Sequence, residues 1–383
     1  MDYSFREKKI SLSYSSRNHG IDLLRIISMY MVLILHIIGW GSVFEKIEWL
    51  SWNYFISWGL YSLSFCAVNC YAMISGYICY SQKFDYARII RLWLQVIFYT
   101  VGITVVFAWI MPQGVGFKKW LLAFFPITRN QYWYVSSYFA LFFCMPFLNF
   151  IVNRLERRLF IKLLVTMVIL FSLISTFALG RDGFVVNHGY SPLWLGVLYL
   201  LGAGIRKYQW FSDISSSRHF LLFVGCAMSV LISKVVIEIS TFYLFGAPKR
   251  GGIFLEYNSP LIVGAALFLF MACLKRTYES RKLIACITFF APLSFGVYLI
   301  HCQYFIWHYG LRGRFASYAE LAPWLMLAAI LLTGGGIYLA ASLVDFIRLK
   351  MFQVCRIHKI SNWMFHWIQQ RYRKILCWCN DRE

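Results

Sequence analysis

Long apolar stretches alternate with short polar segments along most of the chain. Ten of these stretches approach the length that an α-helix needs to cross hydrocarbon, about 17 to 25 residues. Their approximate limits are 21–40, 54–80, 89–111, 132–153, 159–180, 191–205, 219–242, 258–274, 283–307 and 321–347. Pro292 and Gly296 interrupt the ninth stretch early, so we expect a kink or a re-entrant segment there. The pattern predicts an all-α, polytopic integral membrane protein with about ten transmembrane helices.

Composition excludes a soluble domain and divides the chain into three parts. Hydrophobic residues make up 60% of the chain and charged residues only 14%, whereas a soluble domain is about one quarter charged. Residues 1–20 are polar and basic and lack a small-residue cleavage site after the following apolar run, so no removable signal peptide is predicted. Residues 21–347 form the membrane part. Residues 348–383 mix basic residues with tryptophan, which predicts an amphipathic helix that anchors the chain to anionic membrane lipids.

The net charge of +21 would suggest nucleic-acid binding in a soluble protein. In a membrane protein it reports orientation, because cytoplasmic loops carry an excess of Lys and Arg. If the N-terminus is cytoplasmic, the inner segments carry 26 Lys and Arg and the outer loops carry nine. The distribution predicts both termini in the cytoplasm and gives no reason to expect a nucleic-acid partner.

The cysteines show no spacing that is typical of a metal site. Most of the eleven lie in apolar stretches, where a free cysteine behaves as a small hydrophobic residue. No bound metal is expected.

The first apolar stretch contains three ionisable residues, Asp22, Arg25 and His36, and charges inside hydrocarbon usually face a cavity or a partner. Eleven helical steps from Arg25 to His36 turn the chain about 20° beyond three full turns and rise roughly 16 Å. Both side chains should therefore line one vertical track, which suits an elongated anionic ligand. In the alternative interpretation, Arg25 snorkels inward, toward the cytoplasm, and pairs with Asp22, while His36 only bonds a neighbouring carbonyl.

Other polar and aromatic residues in the membrane part allow more than one interpretation. Ser75 and Gly76 suit close helix packing or a kink. Arg88 and Arg91 lie one turn apart and suit a phosphate, although orientation alone would place them there. Lys234 and Glu238 either line a cavity or form a buried pair. Trp133 and Tyr134 belong either to an aromatic belt at the membrane interface or to a platform on which a sugar stacks. His301 lies deep in the ninth stretch, where a single histidine is more typical of a structural role.

These motifs, in this order, resemble the acyltransferase 3 family of polytopic membrane acyltransferases, specifically the bacterial surface-polysaccharide O-acetyltransferases. The resemblance extends from Gly20 to about Val344. The motifs that carry it are Ile21 and Asp22 before Arg25 and His36, the Ser75, Gly76, Tyr77 sequence before Arg88 and Arg91, and the segments YWYVSSYFALFFCMPFLN, LYLLGAGIRKY and LSFGVYLIH, the last ending at His301.

The resemblance implies a multi-pass O-acetyltransferase of the bacterial inner membrane. It implies acetyl-CoA as the acyl donor, held from the cytoplasmic side, and a surface polysaccharide or lipid-linked oligosaccharide as acceptor. The family's catalytic histidine corresponds to His36, and its donor-binding arginines correspond to Arg25, Arg88 and Arg91. No room is found for the extracytoplasmic domain that some members carry, and Lys234 and Glu238 match no family motif.

The residues leave two mechanisms and two other functions open. His36 would act as a general base on an acceptor hydroxyl or as a nucleophile that carries the acyl group. A transporter of a lipid-linked glycan would also have many spans and charges within them. A polysaccharide polymerase is the third function. Such enzymes typically have a large outer loop, and the sequence predicts only short ones. The acceptor sugar, the choice of acetyl over another short acyl group and the oligomeric state are not indicated.

Overall fold

The computed structural model describes residues 17–82, 84–178 and 182–380. Most of the predicted N-terminal segment, residues 1–16, and the end of the predicted tail, residues 381–383, lie outside the described residues. The described residues fold into helices and contain no strand, as the periodicity predicts.

The first eight helices cover the N-terminal half of the chain. They are α1 (His19–Gly39), α2 (Trp52–Ser64), α3 (Ala67–Cys79), α4 (Ala87–Ile110), α5 (Phe117–Phe124), α6 (Trp133–Arg154), α7 (Arg157–Val168) and α8 (Ser175–Phe177). Helices α2 and α3 together form one apolar span, Trp52–Cys79. Helix α7 continues through a π-helical turn at Ile169–Ile174 into α8.

Seven further helices complete the described structure. They are α9 (Pro192–Tyr208), α10 (Ser216–Phe245), α11 (Pro260–Leu274), α12 (Arg281–Phe290), α13 (Ser294–His301), α14 (Pro323–Val354) and α15 (Ile357–Asn380). A 3₁₀ turn at Ala291–Leu293 separates α12 from α13. The break coincides with Pro292, because proline has no N–H to donate within a helix.

Eight helical segments among the described residues are long and apolar enough to cross a membrane. They coincide with eight of the ten predicted stretches. The sixth and eighth stretches form α9 and α11, helices of 17 and 15 residues, both short for a span. Large apolar side chains such as Trp109 and Leu332 are exposed on the outside of the bundle. A surface of this kind is suited to lipid, and the chain is therefore a multi-pass membrane protein.

Close contact between α3 and α9 depends on two glycines. A Cβ atom added at Gly76 would lie 1.9 Å from the backbone oxygen of Tyr199. One added at Gly202 would lie 2.0 Å from the backbone oxygen of Met73. Of the two interpretations of Gly76, close packing is therefore confirmed, since small residues let helix backbones approach in membranes.

Replacing Gly202 with alanine should destabilise the protein, because the new methyl group forces α3 and α9 apart. Overpacking of this kind costs about 1–3 kcal/mol. The thermal unfolding midpoint in detergent should therefore fall. Gly102→Ala is the matched control, because its Cβ would meet no atom within 4 Å. Equal midpoints for the two variants would show that the glycine contact does not hold these helices together.

Helix α1 runs through the centre of the bundle, where it packs against α2, α3, α11, α12, α13 and α14. Its polar residues consequently face protein and internal cavities. The side chain of Asn18 caps the helix by accepting a hydrogen bond from the backbone N–H of Ile21 at 3.0 Å. This position makes α1 the scaffold of the candidate site.

The tail helix α15 begins after Arg356, whose φ of 51° breaks the helical path that leaves α14. It packs against the start of α4. The ring of Phe365 stacks on Tyr86 at 5.8 Å between centroids, and Arg91 donates to the amide oxygen of Asn362 at 3.3 Å. The predicted tail helix therefore forms, and it docks on the membrane part.

Candidate active site

Arg25 and His36 line two adjoining cavities along α1. Arg25 lies on a cavity of about 300 Å³ and His36 on one of about 190 Å³. The two cavities share three lining residues, Tyr71, Tyr134 and Phe295. We call these two adjoining cavities the track. The geometry thus places both ionisable residues along it, as the spacing in the sequence predicts.

At the far end of this track, His36 forms a hydrogen bond with His301. The Nδ1 atom of His36 lies 2.9 Å from Nε2 of His301. The Nδ1 atom of His301 lies 2.6 Å from the backbone oxygen of Val297. A carbonyl oxygen only accepts, so a neutral His301 carries its proton on Nδ1 and accepts from His36 at Nε2. A neutral His36 then keeps the lone pair of its own Nε2 free.

The position of His301 depends on the break in the ninth apolar stretch. Helix α13 restarts at Ser294, after Pro292, and ends at His301. The side chain is only 1% exposed. The sequence favoured a structural role for His301, whereas the structure pairs it directly with His36.

Two further residues, Trp40 and Cys302, adjoin the His36–His301 pair, and neither was a candidate from the sequence. The indole of Trp40 stacks on the His36 ring at 3.5 Å with an interplanar angle of 9°. The thiol sulfur of Cys302 lies 3.2 Å from Nε2 of His301. Trp40 follows His36 by one helical turn, a spacing that predicts contact.

His36, His301 and Cys302 also place three potential metal ligands close together. Their ligand atoms lie within 4.8 Å of one another, and histidine nitrogen with cysteine sulfur is a donor set that zinc accepts. Local spacing in the sequence could not show this group because His36 lies far from the other two. The absence of a bound metal therefore stays a prediction.

Near the start of α1, Asp22 holds Arg25 in place. Asp22 is 3% exposed and accepts from the Nη1 atom of Arg25 at 2.8 Å and from Arg17. The hydroxyl of Tyr71 donates to the backbone oxygen of Arg25 at 2.6 Å. Arg25 is therefore an oriented cation at the cavity wall, and Asp22 is its partner.

Arg88 and Arg91, predicted to share one face, project toward different cavities. Arg88 donates to the side-chain oxygen of Gln82 at 3.0 Å and lines a cavity of about 80 Å³. Arg91 bonds Asp85 at 2.8 Å and lines a separate cavity of about 710 Å³. Partial burial acts to raise the pKa of Asp85, but the hydrogen bond and charge of Arg91 outweigh it and hold that pKa below its ordinary value.

The residues of the Ser75, Gly76, Tyr77 motif have three separate environments. Ser75 lines the Arg25 cavity and donates to the backbone oxygen of Tyr71 at 3.0 Å. Gly76 makes the contact with α9, and the ring of Tyr77 lies 4.9 Å from the guanidinium of Arg206. Only Ser75 of the three touches the track.

Trp133 and Tyr134 line the His36 cavity together with Tyr257. The ring of Trp133 stacks on that of Tyr257 at 5.6 Å. These aromatic side chains form one wall of the cavity, a type of surface on which sugar rings can pack.

Lys234 and Glu238 form a buried ion pair on the side of α10 that faces α2, away from the Arg25 and His36 cavities. Glu238 also accepts from the hydroxyl of Tyr54 and from the indole of Trp49. The ammonium of Lys234 lies 3.5 Å above the ring of Trp58. Of the two interpretations, the buried pair is the one that the structure supports.

Comparison with protein families finds a match over most of the chain. A family model described as an acyltransferase domain matches residues 18–342, which is nearly the whole membrane part. Comparisons with curated proteins and with solved structures find no match. Because the match covers most of the chain, including α1 and the His36–His301 pair, the chain belongs to the acyltransferase 3 family of membrane proteins.

Proposed function

We propose that the protein is an O-acetyltransferase of the bacterial inner membrane. It moves an acetyl group from cytoplasmic acetyl-CoA to a hydroxyl of a surface polysaccharide or its lipid-linked precursor. The observation that carries the proposal is the pair of adjoining cavities that leads from Arg25 to His36 in a chain of the acyltransferase 3 family.

His36 acts on the acceptor through the free lone pair of its Nε2 atom. As the hydroxyl oxygen attacks the thioester carbon, Nε2 takes the hydroxyl proton, and the C–S bond then breaks. The proton passes from His36 to the departing thiolate, so the products are an acetyl ester and the free thiol of coenzyme A. General base catalysis of this type contributes about 10²–10⁴-fold.

His36 also has the geometry of an acyl carrier, the second mechanism. Its Nε2 atom attacks the thioester, the C–S bond breaks and coenzyme A leaves as a thiolate. The acceptor hydroxyl then attacks the acetyl group, the bond from carbon to Nε2 breaks, and the hydroxyl proton passes by way of Nε2 to the thiolate. Both mechanisms need the Nε2 lone pair, and His301 supplies the acceptor that keeps the proton of His36 on Nδ1.

The two ends of the track suit the two substrates. Arg25 attracts the negative charge of the donor where the thioester arm enters. At the other end, Trp40, Trp133 and Tyr257 line the His36 cavity and offer flat apolar faces for a sugar ring. Trp133 and Tyr134, which lines the same cavity, are therefore proposed contacts of the acceptor.

Transfer of labelled acetyl groups from acetyl-CoA to surface glycan tests the proposal. Membranes that contain the protein should label the glycan, and membranes from the same host without it should not. If labelling is equal in both while export of the glycan differs, the protein is a transporter of lipid-linked glycan and the proposal is wrong.

A further inference from the structure

Another cavity lies outside the Arg25–His36 track, where the end of α14 and the start of α15 meet the start of α4. Its volume is about 710 Å³, which is within the range of small-molecule sites. Its polar lining consists of Arg91, Gln95, Arg348, Gln353, Arg356, His358 and Lys359, with no carboxylate among the lining residues. We name it the basic cavity.

Positive charge in the basic cavity exceeds the negative charge beside it. Arg91 is paired with Asp85 and Arg348 with Asp345. Arg356 and Lys359, which are both exposed, form no ion pair with a carboxylate of the described residues. Two cations therefore stay available to an anionic ligand.

Arg348 gives the cavity a fixed, buried donor. Its side chain is 8% exposed, and its Nε and Nη2 atoms both bond Asp345 at 2.7 to 2.9 Å. The hydroxyl of Tyr99 holds the same carboxylate at 2.6 Å. Among the described residues, Nη1 of Arg348 has no hydrogen-bond partner, so this wall of the cavity has an oriented guanidinium with a free donor.

We propose that the basic cavity binds phosphate groups, with Arg348, Arg356 and Lys359 as the main contacts. Arginine and lysine beside one another in a concave, partly buried site are the chemistry that phosphate oxygens select. All three residues lie beyond residue 342, where the family match ends. The segment that follows the family match thus contributes to a ligand site, in addition to the anchoring role predicted for residues 348–383.

Two sources supply phosphate at this position. Leu92 lines both the basic cavity and the Arg25 cavity, so the phosphates of an acyl-CoA would bind here while its thioester arm follows the track. That source rests on the proposed function. The headgroup of an anionic phospholipid is the other source, and it requires no acyl transfer.

The test compares the double variant Arg356→Ala/Lys359→Ala with a matched control, Lys350→Ala/Arg371→Ala. Both remove two exposed basic residues from the C-terminal part of the chain, but the control residues, on α14 and α15, do not line the cavity. One arm measures binding of coenzyme A and of 3′-dephospho-coenzyme A in detergent. The other measures the thermal midpoint in phosphatidylcholine nanodiscs with and without phosphatidylglycerol.

If the donor supplies the phosphate, the double variant should bind coenzyme A about tenfold more weakly, the loss expected when charge-assisted contacts are removed. The control should bind normally. If the lipid supplies it, coenzyme A binding should be unchanged and only the stabilisation by phosphatidylglycerol should disappear.

A double variant that matches the wild type and the control in both arms would overturn the phosphate site. Neither arm measures acetyl transfer. The double variant could lose coenzyme A binding or stabilisation by phosphatidylglycerol even though the wild-type protein transfers no acetyl group. That result would contradict the proposed function and leave the phosphate site standing.

Discussion

Replacing His36 with alanine should lower acetyl transfer about 10²–10⁴-fold, the usual contribution of a general base. The loss should be as large if His36 carries the acetyl group, since both mechanisms use Nε2. Binding of coenzyme A should change little, because the charges of the donor are proposed to meet Arg25, away from His36. Initial rates of glycan acetylation at saturating acetyl-CoA measure the effect.

His188→Ala is the matched control for this variant. His188 also bonds a side chain, Glu256 at 2.8 Å, but it does not line the His36 cavity. Its activity should stay near that of the wild type at equal expression. A His36→Ala protein that folds and still acetylates glycan at the wild-type rate would exclude both mechanisms.

Replacing His301 with alanine should lower turnover about 10- to 100-fold, as removal of an orienting partner does in other sites. Without His301, the Nδ1 proton of His36 loses its acceptor, so the ring no longer holds one tautomer and one orientation. The effect should lie in kcat, with little change in KM for acetyl-CoA, because His301 lines neither the Arg25 cavity nor the His36 cavity.

A conservative variant separates this positioning role from a structural one. Glutamine at position 301 offers a side-chain oxygen that can accept from His36, so His301→Gln should recover part of the lost turnover. If the glutamine and alanine variants have equal kcat and equal thermal stability, hydrogen bonding to His36 does not explain the effect. A rise in KM alone would also contradict the assignment.

The sequence predicts most of the helices because each apolar stretch is long and continuous. Eight stretches correspond to helices that are long and apolar enough to span a membrane. The predicted count of about ten depends on α9 and α11, which the structure shows as short helices. The track along α1 was predictable as well, since the spacing of Arg25 and His36 is local and helical periodicity fixes their common side.

The rest of the site depends on contacts between residues that are distant in the chain. His301 is 265 residues from His36, and local periodicity carries no information about that pairing. The separation of Arg88 from Arg91 also depends on a distant residue. Arg91 bonds the neighbouring Asp85 and Asn362 of the tail helix, and these contacts direct it away from the cavity that Arg88 lines. Arg348, Arg356 and Lys359 were assigned only to an anchoring tail, and docking of α15 on α4 brings them to one cavity.

The most direct test of the account is acetyl transfer across a sealed membrane. Vesicles that carry wild-type protein or His36→Ala would receive labelled acetyl-CoA on one face only, with the acceptor glycan on the other. We expect labelled glycan when the donor meets the face on which α1 begins, and none from the His36→Ala vesicles. Transfer from the opposite face, or equal labelling by the two proteins, would contradict it.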